Sequence, residues 1–169
     1  ALSAEFTIQV NDNSMENLVV SIGETVLDMA GNNLVPALDN SQTVDTVNPD
    51  VTEASNDVAE GVKVSDVDPE VVYTITFSEA IDSLSAADLD VTGAAISDVT
   101  LDGDGESATV TVVADDNSEA PIAVSVRDSV TDIAGNIVTA NVSSAQAVDT
   151  VNPVASVEAS FGINVDDNI

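Results

Sequence analysis

The sequence predicts an all-β chain, an antiparallel β-sandwich repeated in tandem units of about 104 residues. Three observations predict it. Apolar residues alternate with polar ones over short runs, Gly/Asp/Asn turn signals separate those runs, and two segments recur at one offset. Val44-Asp45-Thr46-Val47-Asn48-Pro49 returns letter for letter at Val148-Asp149-Thr150-Val151-Asn152-Pro153. Asp28-Met29-Ala30-Gly31-Asn32 returns as Asp132-Ile133-Ala134-Gly135-Asn136, displaced by the same 104 residues. That offset is too long for a solenoid unit and is the size of a small independent domain. The chain therefore reads as the C-terminal part of one unit (residues 1–45), a complete unit (46–149) and the start of a third (150–169).

Within the complete unit, seven strands are expected. A first, the least regular, covers 51–58; the acidic stretch that follows, from Asn56 to Glu70, suggests a bulge or an extra edge strand. In the second, 71–78, Val71, Tyr73, Ile75 and Phe77 alternate with Val72, Thr74 and Thr76, the period of a half-buried strand. One helical turn, capped by Ser83 or Ser85, is expected between Ser83 and Leu89. Strands at 88–92 and 95–101 flank Thr92-Gly93, and 107–114 alternates Ala108, Val110 and Val112 with Thr109 and Thr111. Ile122, Val124 and Val126 define 121–128, and 137–148 closes the unit. Turn signals stand at Asp102-Gly103-Asp104-Gly105, Asp115-Asp116-Asn117-Ser118 and Gly135-Asn136. The partial copy keeps the same inward parity, with Phe6 and Ile8 opposite Val110 and Val112, and Leu18, Val20 and Ile22 opposite Ile122, Val124 and Val126. Seven short antiparallel strands in about one hundred residues point to an immunoglobulin-like sandwich.

Composition narrows the function. Asp and Glu number 31 against 2 Lys and Arg, a formal net charge of -29. Nucleic acid and anionic lipid need cationic side chains and would be repelled by such a field. Acidity with few aromatics can signal disorder or halophilic solvation, but 44% of the residues are hydrophobic and sit in strand-like runs. No run approaches the ~20 apolar residues of a membrane helix, and Ala1-Leu2-Ser3 lacks a basic leader region, so the chain reads as cut from something longer. There is no Cys and no His, which removes thiol and imidazole nucleophiles, His bases and zinc sites of the Cys/His type. Hard oxygen donors remain for a metal, and Asp outnumbers Glu about two to one.

In a sandwich with strands in this order, three loops and the incoming linker share one pole. Glu79, the turn acids Asp102, Asp104 and Glu106, Asp132 and Asn136, and Asp45 and Asp50 from the linker then converge. Like charges about 4 Å apart repel by ~1 kcal/mol per pair even in water. A cation is the natural counterpart, and Ca2+ accepts six to eight oxygens of this kind. Each piece also has a plainer reading. The segment from Asp132 to Asn136 suits a tight turn, Asp-Gly is the common hairpin turn, and Asp115, Asp116 and Glu119 suit a solvated loop at the opposite pole, beside Asp149.

The runs Phe77-Ser78-Glu79-Ala80-Ile81, Ala87-Asp88-Leu89-Asp90-Val91-Thr92-Gly93 and Asp132-Ile133-Ala134-Gly135-Asn136, closing on Val148-Asp149-Thr150 and Pro153, resemble the bacterial immunoglobulin-like repeats of giant biofilm and repeats-in-toxin (RTX) adhesins. The resemblance covers one full unit and both flanks. It implies Ca2+-bound extender domains that hold a terminal adhesive domain away from the cell, with Glu79, Asp132 and Asn136 as ligands and Asp45 and Asp149 at the two linkers. Asp28 and Asn32 are the same positions one unit earlier, but that unit lacks its own Phe-Ser-Glu segment.

The expected function is therefore a Ca2+-rigidified spacer at the bacterial cell surface, exported before folding and built as a monomeric rod whose partners are calcium and neighbouring repeats. Neither nucleic-acid binding nor membrane insertion is expected. A ligand-binding module for a glycan or protein receptor is the alternative, although in the complete unit Tyr73 and Phe77, its only aromatics, lie on the predicted core face. An enzyme would need an acid/base or nucleophile pair in a cleft, which small sandwiches with cation-filled loops seldom leave.

Overall fold

A computed structural model of the chain describes residues 5–23, 25–35, 40–139 and 142–158. In chain order the strands are β1 (Leu18–Val20), β2 (Asn40–Gln42), β3 (Val51–Asn56), β4 (Glu70–Phe77), β5 (Leu89–Thr92), β6 (Ala94–Leu101), β7 (Ser107–Ala114), β8 (Ile122–Val126) and β9 (Ala145–Gln146). β1 and β2 form a two-stranded antiparallel ribbon. The other seven make two antiparallel sheets, ordered β3-β4-β7-β6 and β5-β8-β9. No helix among the described residues is long and apolar enough to cross a membrane.

Alternation builds the sandwich. Val71, Tyr73, Ile75 and Phe77 of β4 and Ala108, Val110, Val112 and Ala114 of β7 all face one core, which Leu89, Ile122, Val124 and Val126 close from the second sheet. The inner faces of β4 and β7 pair directly: Val71 opposite Val112, Tyr73 opposite Val110, and Ile75 opposite the small Ala108. Such cross-strand pairs contribute roughly 0.2–1 kcal/mol each beyond the burial itself. The fully buried Tyr73 keeps its hydroxyl bonded to the Ile122 carbonyl at 3.4 Å, tying the sheets together.

Two strands break the simple period. In β6, Ile96, Val99 and Leu101 all lean on the core although Ile96 and Val99 are three residues apart. A bulge between Ile96 and Asp98 absorbs the extra residue. β3 has the same device between Val51 and Glu53, which explains the weak alternation there. The helical turn is a single 3-10 turn, Ala86–Asp88, held by Asp88 Oδ2, which accepts from the Ser85 amide at 3.0 Å and the Ser85 hydroxyl at 2.6 Å.

The structure corrects three expectations. The segment 137–148 is not one strand: after two residue pairs with β8 it turns to Val64, whose amide donates to the Ala147 carbonyl at 3.0 Å and whose carbonyl accepts from Asp149 at 2.8 Å. The segment between Asn56 and Glu70 carries no extra edge strand, only turns around the buried Val64 and two isolated bridges, Val64 with Val148 and Ser65 with Asp68. In the partial copy the parity holds in β1, where Leu18 and Val20 are half-buried and Val19 is 57% exposed, but not beyond it, since Phe6 is 59% exposed, Ile8 43% and Ile22 45%. Among the described residues no second sheet lies over that segment.

Candidate metal centre

Three loops and the linker build the site. β4 delivers Glu79 just past Phe77, and the chain there is fixed on both sides: the Ser78 amide donates to Asp50 O at 2.9 Å and the Ile81 amide to Gly105 O at 3.0 Å. Gly105 has a φ of +76, and a Cβ at this position would lie 2.9 Å from the Ile81 carbonyl. Only glycine lets the turn approach this closely. Asp82 then donates its amide to Thr131 O at 2.9 Å, which brings Asp132 alongside.

Asp132 is a buried carboxylate, 4% exposed, inside a five-residue turn. Its Oδ1 accepts from the amides of Gly135 at 2.7 Å and Asn136 at 2.9 Å, and its Oδ2 accepts from Asn136 Nδ2 at 2.7 Å. The same Nδ2 reaches the Asp45 carbonyl at 3.3 Å, so the loop grips the linker. Asp45 Oδ1 accepts from the Val47 amide at 3.2 Å.

Asp45, Glu79 and Asp132 thereby offer carboxylate oxygens that all lie within 4.8 Å of one another. Two oxygens on opposite sides of one Ca2+ are at most about 5 Å apart, given bonds of ~2.3–2.6 Å. Glu79 Oε1 is shut off from solvent and has no hydrogen-bond partner. A buried, unpaired carboxylate oxygen is costly, and a cation would relieve it. Burial, followed by the negative charges of Asp45, Asp132 and Asp50, raises the Glu79 carboxyl above its ordinary value. The donor set is all oxygen, which fits a hard divalent cation.

Not every expected residue joins this group. Asp50 stands close enough to act on Glu79 by its charge, and its Oδ1 accepts from the Thr139 hydroxyl at 2.8 Å. Asp102 and Asp104 stay exposed on their turn, where Asp104 Oδ1 accepts from the Glu106 amide at 3.1 Å. Their turn serves the site through its backbone, by way of the Gly105 and Glu106 carbonyls. Asp149 lies at the other end of the sandwich and pairs with Lys63 at 3.2 Å. Asp28 and Asn32 reproduce the Asp132–Asn136 turn, with Asn32 Nδ2 donating to Asp28 Oδ2 at 2.9 Å, but both are exposed, and among the described residues Asp28 joins no cluster of acids that could share an ion.

Two features escaped the sequence reading. Gln146 is buried and its side chain donates to Val62 O at 2.7 Å, which fixes where the last strand leaves β8. Thr46 and Thr150, inside the repeated segment, each close a compact set of bonds to the turn that precedes β1 or β8. Their recurrence was visible in the sequence, but nothing in their type distinguished a clip from a spacer.

Two sheets of seven antiparallel strands, with loop acids gathered at one end, define an immunoglobulin-like β-sandwich. More particularly, the chain belongs to the bacterial Ig-like domain family, whose model matches residues 45–152. That family is a non-catalytic fold, typical of surface and secreted proteins. No match was found among curated proteins or solved structures.

Proposed function

We propose that the chain is a Ca2+-stabilised spacer from a large bacterial surface adhesin, with residues 46–149 one complete unit, 1–45 the end of a preceding unit and 150–169 the start of the next. The observation that carries this reading is the meeting of Asp45, from the linker, with Glu79 and Asp132, from two loops of the sandwich, around an orphaned Glu79 oxygen. An ion held there joins the linker to the domain. Repeated along an array, such joints turn a string of domains into a monomeric rod that projects an adhesive end. Partners are then calcium and neighbouring units, and the net charge of -29 keeps nucleic acid and anionic membranes away. The burial of Tyr73 and Phe77 in the core favours a spacer over a glycan-binding module.

Extracellular calcium modules have Kd values of about 0.1–1 mM, and free ion at ten times Kd adds about 1.4 kcal/mol per site. Thermal unfolding in millimolar Ca2+ against EGTA tests the claim directly. A rise of several degrees in Tm with Ca2+ is expected. Coincident melting curves would overturn it, and X-ray scattering on a chain of two or more complete units would show whether the rod loosens on chelation.

A further inference from the structure

The repeated segment is held alternately from two sides. Val44 is buried and lines one small cavity with Val10, Ser14 and Leu18. Asp45 turns the other way, its carbonyl bonded to Asn136 and its carboxylate in the acidic group. Thr46 turns back: its hydroxyl donates to Asn11 O at 2.8 Å and accepts from the Ser14 amide at 2.9 Å, while its own amide donates to Ser14 O at 3.0 Å. The chain then returns to the sandwich. The buried Pro49 accepts from the Thr139 amide at 3.1 Å, and the Asp50 amide donates to Ser78 Oγ at 2.9 Å. The segment is thus bonded on both sides of Asp45 and again at Pro49 and Asp50.

The clip is a built feature, because the chain makes it twice. Thr150 donates its hydroxyl to Asp115 O at 2.7 Å, accepts from the Ser118 amide at 2.8 Å, and sends its own amide to Ser118 O at 3.0 Å. Every partner is displaced by the same 104 residues. At Thr150, however, no acidic group of the Asp45 kind lies alongside among the described residues. One clip adjoins the site and the other does not.

We propose that Thr46 is a positioning residue for the cation site: its hydroxyl pins the peptide next to Asp45 to the turn at residues 11–14, and so couples ion binding to the order of that turn. This rests on the cation reading of Asp45, Glu79 and Asp132. A carboxylate whose backbone is held in place binds without first being ordered, and that saving appears as affinity. Linkage makes the coupling mutual, so the ion must strengthen the clip by the factor by which the clip strengthens the ion.

The test uses the full chain and its Thr46→Val, Thr46→Ser and Thr150→Val variants, with Ca2+ titrated by calorimetry and amide exchange followed residue by residue. Loss of the Thr46 hydroxyl is expected to weaken Ca2+ roughly fivefold, the scale of one hydrogen bond. Thr46→Ser should bind within about twofold of wild type, and Thr150→Val should bind as wild type does. In the unmodified chain, Ca2+ should slow exchange at Ser14 and Thr46 but not at Ser118. Equal affinity of Thr46→Val and wild type, or equal weakening by Thr150→Val, overturns the proposal, as does exchange at Ser14 that ignores Ca2+ while the residues around Glu79 respond. A wild-type chain that takes up no Ca2+ overturns the cation reading itself, which separates the two failures.

Discussion

The described residues within 5–46 and 109–150 share turns and clips at matching positions and bury different amounts of surface. The turn at Asp28 and the turn at Asp132 share four contacts: the Asn amide donates to Oδ1, the Asn side chain to Oδ2, the Asp amide to the Asn carbonyl, and the Gly amide to the Asp carbonyl; a further bond to Oδ1 comes from the Ala30 amide in one and the Gly135 amide in the other. The Leu34 amide reaches Val26 O at 2.8 Å as Val138 reaches Val130 O at 2.9 Å. Yet Val26 is 47% exposed where Val130 is 2%, and Phe6 is 59% exposed where Val110 is fully buried. Turns and clips are therefore properties of a few neighbouring residues. Burial is a property of two sheets, and among the described residues only the second region has the other sheet to lie against.

The largest expected effect follows from that difference. Val110→Ala removes two methyl groups from a filled core and should cost about 2–3 kcal/mol once the cavity is included. Phe6→Ala removes a far larger side chain and should cost under about 0.5 kcal/mol, because it is already in water. Denaturant unfolding of the two variants gives the comparison. A Phe6→Ala cost equal to that of Val110→Ala would show that the first region is covered after all.

The same contrast marks what the sequence could tell. Alternation in β4, β7 and β8 was legible because each strand keeps one face wet, as at Thr74 and Ser125, and the helical turn was legible from its capping serine. The bulges of β3 and β6 were not, since an extra residue looks like a lapse in pattern until a partner strand shows where it goes. Asp45, Glu79 and Asp132 could be placed at one pole from strand order alone. Asp102 and Asp104 share that pole, but a pole is wider than a coordination sphere, and which acids point inward is decided by backbone contacts such as Gly105 against Ile81. The exposed state of Phe6 and Ile8 was hidden for another reason: periodicity reports which face would be buried, not whether anything covers it.

A middle-sized effect separates Asp132 from Asp28. What Asp132 has and Asp28 lacks is Glu79, and Glu79→Gln would remove that charge while keeping the side chain's shape. The Glu79 carboxyl is raised above its ordinary 4.5, so without an ion the folded chain holds that proton more tightly than the unfolded chain. This contribution to stability is present below about pH 4.5 and is lost as pH rises through the raised pKa. In EGTA, Glu79→Gln should therefore melt at a higher temperature than wild type near neutral pH, and the advantage should vanish in acid. In Ca2+ the order should reverse, because the variant forfeits the ~1.4 kcal/mol that the ion contributes at ten times Kd. Melting curves at two pH values with and without Ca2+ would reveal the crossing, and its absence would detach Glu79 from any ion site.

The smallest effect concerns the last matched pair, Asp45 and Asp149. Asp45 stands among acids, whereas Asp149 stands beside Lys63, one of two cations in the chain, with Nζ at 3.2 Å and both side chains about half exposed. An exposed pair of this kind is worth at most about 1 kcal/mol and is screened by salt. Lys63→Met should thus shift the unfolding free energy by less than about 1 kcal/mol, with the difference from wild type fading near 1 M salt. A larger, salt-insensitive loss would mean that Lys63 supports the bonds of Val64 to Ala147 and Asp149 rather than the charge of Asp149. Amide exchange decides between them: a pure charge effect at Asp149 would leave the exchange rates of the Val64 and Asp149 amides unchanged in the variant.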